Sequence, residues 1–136
     1  MKNVEYYGVF VDKSTREKIL KLVQNKIPEG WITYAYHITM LHRTHKNHNL
    51  EKYLVAFLGE NVFFKIIGWG ISDRAFAVIT NCPSENKISH MTIAVAPGAK
   101  PVESNNITDW HYEQIGDIFR GYLSVQPHVK YKNYEK

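Results

Sequence analysis

Two short segments of this chain carry the residue types for acid–base chemistry in the same order: His37-Ile38-Thr39 and His90-Met91-Thr92. Side chains alternate faces along a strand, so in each segment the imidazole and the hydroxyl share one side and the apolar residue between them faces the other. Unperturbed histidine titrates near pH 6.5, so of two imidazoles one can act as a free base while the other carries a proton. Displacement at phosphorus needs that combination: a base on the attacking oxygen and an acid on the leaving oxygen. Threonine hydroxyls can donate to the non-bridging oxygens as their charge develops. If the two strands meet, the chemistry on offer is phosphodiester cleavage with no metal and no cofactor. A single His-x-Thr in a strand is ordinarily a half-buried surface pair. Two copies, both backed by apolar residues in so small a chain, favour the catalytic reading.

The elements that must position these groups follow from the pattern of apolar residues. Residues 4–11 are rich in β-branched and aromatic types and read as a strand. Ser14 and Glu17 form a capping box, and Ile19, Leu20, Val23 and Ile27 recur at helical spacing until Pro28-Glu29-Gly30. A strand is expected over 33–42, and a second helix, marked by Leu50, Tyr53, Leu54, Phe57 and Leu58, closes at Gly59. Residues 62–71 and 75–80 read as a hairpin turned at Ser72-Asp73-Arg74. Strands follow at 89–96 and 119–125, separated by an irregular polar connection over 97–112. The tail from Gln126 is expected to be loosely held. The repeated His-apolar-Thr pattern, each copy following a strand–helix or hairpin unit, suggests two related halves packed together.

With 136 residues the chain has the length of one domain, spanning 1–136. A hydrophobic fraction of 44% and a charged fraction of 22% are ordinary for a folded soluble protein. The formal charge of +4 suits an anionic ligand but lacks the dense basic patches of proteins that bind long nucleic acids. The lone cysteine, Cys82, excludes an intrachain disulfide and a Cys-based zinc site, and fits a reducing compartment. No apolar run has the length of a signal peptide or a membrane span, so a cytoplasmic protein with no membrane partner is expected.

On the motifs His37-Ile38-Thr39 and His90-Met91-Thr92 the sequence resembles the 2H phosphoesterase superfamily, which is defined by two His-apolar-Thr/Ser motifs on symmetric lobes. The segment from His90 to Asn105, ending Ala96-Pro97-Gly98-Ala99-Lys100-Pro101-Val102-Glu103-Ser104-Asn105, is similar to one in fungal tRNA ligase cyclic phosphodiesterase domains and in phage anti-CBASS nucleases. The resemblance implies an α+β fold, bilobal, with a concave and mainly antiparallel sheet and helices on its outer faces. It implies that His37, Thr39, His90 and Thr92 are catalytic, with the host cytoplasm as the location if the source is viral. The compact interval between motifs and the lack of an attached kinase or ligase point to cyclic di- or trinucleotides rather than long RNA as substrate. The runner-up substrate is a 2′,3′-cyclic phosphate on an RNA end. Tyr7 and Trp69 are the expected base-stacking residues. Arg74 and Lys100 are candidates for contacting phosphate or a base edge, though solvated surface charge competes with that role.

Two other function classes are open to the sequence. His42, His45 and His48 fall at intervals of three and could suggest a metal site, but Arg43 and Lys46 would repel a cation and no carboxylate lies among them. The segment therefore reads as a solvated loop. A nucleotide- or RNA-binding module without catalysis fits the mild basicity and the aromatic residues, but has no use for two matched titrating groups.

Overall fold

Asp12, in extended conformation, accepts from the Thr15 backbone N–H at 2.8 Å and so starts the first helix, α1 (Lys13–Val23). The expected capping box at Ser14 and Glu17 is thus displaced: both residues lie inside the helix. The computed structural model describes residues 4–127. The expectation for the tail falls almost wholly outside these, although Gln126 belongs to the last strand. Helix α1 buries Ile19 and Val23 and runs into a single 3₁₀ turn, Gln24–Lys26. The second helix, α2 (His48–Ala56), is capped by Asn47, whose side chain accepts from Leu50 N–H at 3.0 Å.

The described residues also form seven strands: β1 (Val4–Phe10), β2 (Ile32–Thr33), β3 (His37–His42), β4 (Asn61–Ile71), β5 (Ala75–Thr80), β6 (His90–Val95) and β7 (Trp110–Pro127). They form one sheet in the order β2-β6-β3-β1-β7-β4-β5, with every pairing antiparallel, and β5 also pairs with β6. The fold is therefore α+β with an antiparallel sheet, and that extra pairing joins β6, β3, β1, β7, β4 and β5 into a closed circuit. The expected irregular stretch up to residue 112 is shorter than read, because β7 begins at Trp110. Its first half pairs with β4 while exposing His111, Tyr112, Glu113 and Gln114, so no apolar alternation announces it.

The expected strand over 33–42 is broken. Between the pairs Thr33↔Ala94 and Ile38↔Met91 the first strand advances five residues and its partner three. The two extra residues form a bulge in which Ala35, buried, adopts a φ of 61°. The break resets the alternation: Tyr36, which an unbroken strand would bury on the face of Ile38 and Met40, is 51% exposed, with the Arg16 guanidinium 4.4 Å from its ring centre.

One large core joins the helices to the sheet, drawing Val9, Ile19, Ile38, Phe64, Ile66, Phe76, Met91 and Ile93 together. A smaller cluster of Ala75, Ala77, Val95 and Ile107 covers the other face of β5, with Trp110 packed on it. Every residue of β5 is buried, as expected of a strand covered on both faces. No helix among the described residues is long and apolar enough to cross a membrane.

Candidate active site

Strands β3 and β6 are joined by a single rung, Ile38↔Met91, both fully buried. In an antiparallel ladder that rung sets Thr39 beside His90 and His37 beside Thr92, with the two imidazoles on one diagonal and the two hydroxyls on the other. A regular ladder separates such diagonal residues by about 7–8 Å, their Cβ atoms by somewhat less. All four residues line one cleft of about 360 Å³. The structure thus brings together the two motifs that the sequence singled out.

Each ring has its own orienting partner. His90 Nδ1 lies 2.7 Å from the Ile88 carbonyl oxygen. A carbonyl only accepts, so Nδ1 carries the proton and Nε2 is left for acid–base exchange. His37 Nδ1 lies 3.2 Å from the Tyr6 hydroxyl, and the two rings stack with centres 4.5 Å apart. Burial, reinforced by the nearby charge of His90 when protonated, lowers the His37 pKa to about 4. Burial also lowers that of His90, but the Ile88 carbonyl and the Asn105 side chain oppose the shift by stabilising its charged form. The pair is asymmetric. His37 is a poor proton holder, and His90 has groups set to keep a proton. Burial and the charge of Glu5 push the Tyr6 phenol up to about 12, so it remains a neutral partner for His37.

The hydroxyls differ too. Thr92 Oγ1 is 2.7 Å from Ser104 Oγ, which in turn lies 3.1 Å from His90 Nε2 and 2.9 Å from the Pro101 carbonyl. Ser104 is 1% exposed and reaches the site because the 3₁₀ helix Pro101–Asn106 folds back over β6. Thr39 Oγ1 makes no hydrogen bond among the described residues and faces the open cleft.

The chain matches no protein-family model and no curated protein.

Four residues named from sequence are not brought to the cleft. Tyr7 is 3% exposed in the core, its hydroxyl donating to Glu51 at 2.9 Å, since alternation on β1 sends Tyr6 rather than Tyr7 toward His37. Trp69 is stacked on His111 at 4.4 Å and lies 4.6 Å under the Lys26 ammonium, so its ring is already occupied away from the cleft. Arg74 holds Glu103 in a two-point ion pair at 2.8 and 3.2 Å. Lys100 is an exposed residue just before the 3₁₀ helix, and its backbone N–H donates to Glu103 at 2.7 Å. None of the four lines the cleft.

Other residues take their place. Tyr6, His42, His45 and Asn86 line the cleft. The segment read as a solvated loop therefore supplies part of its wall. His42 Nε2 is 2.9 Å from a Glu5 carboxylate oxygen, and its Nδ1 is 2.9 Å from Thr44 Oγ1. Among the described residues no three His, Cys, Asp or Glu side chains are grouped so as to hold a metal ion. The choice of Tyr6 over Tyr7 rests on the β1–β3 register, in which Phe10 pairs with His37, and nothing in the sequence marks Asn86.

Proposed function

We propose that this protein is a metal-independent phosphodiesterase of the 2H phosphoesterase kind, bilobal in that family's sense, cutting 3′–5′ bonds of cyclic di- or trinucleotides. The observation that carries the reading is the convergence of His37, Thr39, His90 and Thr92 on one cleft from adjacent strands. The asymmetry of the two rings supports an assignment of roles: His37 as the initial base and His90 as the acid.

In the first step His37 takes the proton of a ribose 2′-hydroxyl as that oxygen attacks the adjacent phosphorus. The bond from phosphorus to the 5′-oxygen breaks, and His90 delivers its proton to the departing oxygen. The products are a 2′,3′-cyclic phosphate and a free 5′-hydroxyl. Water then opens the ring with the roles exchanged: His90 accepts its proton and His37 returns one to the 2′-oxygen. An anionic phosphate between the rings offsets the burial that disfavours their charged forms, so His90 is protonated more readily in the complex than in the free protein. Thr39 and Thr92 donate to the non-bridging oxygens.

Incubation with cyclic dinucleotides, cyclic trinucleotides and RNA bearing a 2′,3′-cyclic phosphate, with products identified by mass, tests the substrate. Cutting of RNA ends alone would replace it with RNA end processing. His37→Ala and His90→Ala test the class: each should lose turnover by a factor of about 10² or more while retaining most ligand affinity. A wild-type chain that binds every ligand and cuts none would be a binding module.

A further inference from the structure

A second cavity, of about 320 Å³, adjoins the first and shares with it His45, Asn86, His90, Ser104 and Asn105. What it adds is Lys87 and Trp110, together with Ile88 and Ile107. His90 therefore stands in a partition between two spaces of similar size rather than at the end of one. The residues that differ between the two spaces are chemically distinct. Among the described residues the first has the Tyr6–His37 stack and no Lys or Arg, and Lys87 is the sole Lys or Arg lining either cavity.

Lys87 is exposed and has no ion pair among the described residues, so its ammonium is available to an incoming anion. The Trp110 ring centre is 5.8 Å from that of His90. Its indole N–H is already donated to the Ile107 carbonyl at 3.0 Å, which leaves the ring surface as its means of contact. Gly70, pressed against that ring, has no room for a Cβ, so the indole is held in place from behind. An immobile aromatic ring, a cation and two side-chain amides are the groups that recognise a nucleotide: stacking for the base, charge for a phosphate, amides for polar edges.

We propose that the Lys87–Trp110 cavity is a second nucleotide subsite, on the leaving-group side of His90, so that the preferred substrate carries a nucleoside on each side of the scissile phosphate. The inference rests on the phosphodiesterase reading above and narrows it. A nucleoside 2′,3′-cyclic monophosphate fills only one space; a cyclic dinucleotide fills both and places its second phosphate within reach of Lys87.

The test compares 3′,3′-cyclic di-AMP with adenosine 2′,3′-cyclic monophosphate on the wild-type chain, Lys87→Ala, Lys87→Arg and Trp110→Phe. The ratio of kcat/KM for the dinucleotide to that for the mononucleotide should fall about tenfold in Lys87→Ala, through KM, and recover in Lys87→Arg. Trp110→Phe, which keeps an aromatic face, should lower the ratio by less. A ratio within about twofold of wild type in Lys87→Ala would overturn the subsite while leaving the phosphodiesterase standing. If the wild-type chain cuts neither compound, the catalytic reading fails first. Calorimetric titration with cyclic di-AMP then decides the subsite: about tenfold weaker binding to Lys87→Ala supports it, and unchanged or absent binding overturns it.

Discussion

The His37 pKa of about 4 has a thermodynamic consequence that needs no substrate. The unfolded chain binds a proton at this residue below about pH 6.5, and the folded chain only below about 4. Between those values the unfolded state holds more protons, so stability falls as pH drops through the window and the loss is complete below it. At about 1.4 kcal/mol for each pH unit, the interval from 6.5 to about 4 amounts to about 3 kcal/mol. Small domains are stable by about 5–15 kcal/mol, so a loss of this size is readily measured. His37→Gln removes the titration while keeping a polar side chain of similar reach. Urea unfolding of both proteins from about pH 7.5 to about pH 4 isolates the contribution, because all other groups titrate in both. The variant starts with whatever stability its new side chain gives it, and the stability difference should shift in its favour by about 3 kcal/mol on acidification. Two profiles that run parallel through the window would show that His37 is not desolvated in the fold and would remove the basis for its role as base.

The remaining outcomes concern the same site. Ser104→Ala deprives Thr92 of its shortest hydrogen bond and His90 Nε2 of its partner; it should cost about 1–3 kcal/mol in thermal or urea unfolding and lower turnover, whereas an unchanged Tm would mean the network contributes nothing. Tyr6→Phe keeps the ring stack on His37 and loses the hydrogen bond, so kcat should fall about tenfold with KM little changed, read by steady-state kinetics. A Cβ at Gly8 would lie 2.5 Å from the Ile38 carbonyl oxygen, so Gly8→Ala should destabilise by about 1–3 kcal/mol and also reduce activity, since it pushes on the strand between His37 and Thr39. Prolonged treatment with a strong chelator should leave turnover of the cyclic dinucleotide unchanged, because the acid and the base are both side chains; a loss restored by a divalent ion would contradict the mechanism.

The paired His-x-Thr segments were legible because strand alternation is a local rule and each motif carries its own apolar backing, Ile38 or Met91. The hairpin of β4 and β5 and both helices were visible for the same reason, through apolar periodicity. The residues that complete the site were not. Tyr6 rather than Tyr7 faces His37 because of the register between β1 and β3, and the register shifts between Tyr7 and Gly8. Adjacent tyrosines offer no local signal of which one turns inward. Trp69 has the residue type of a stacking platform, but the glycines on either side of it admit the neighbouring strand: a Cβ at Gly68 would meet the His111 backbone. His45 and Asn86 come from two loops far apart in the chain, and only tertiary folding sets them on one wall. Ser104 is the exception, since the loop after the second motif can reach the cleft, but its burial depends on the 3₁₀ turn that carries it over Thr92.

Because six strands hand their hydrogen bonds around a circuit, narrowed between β3 and β6 to the single rung Ile38↔Met91 where Ser84 and Glu85 cover the next residues of β3, none of them is left as a long outer border. Borders of that kind are where sheets recruit foreign strands, so this molecule has little with which to seed fibrils or exchange segments with a second copy. The connecting segments around Thr44, Asn86 and Val102 line the cleft, so changes in sequence there can retune what is admitted without disturbing the rung that holds the two imidazoles in place.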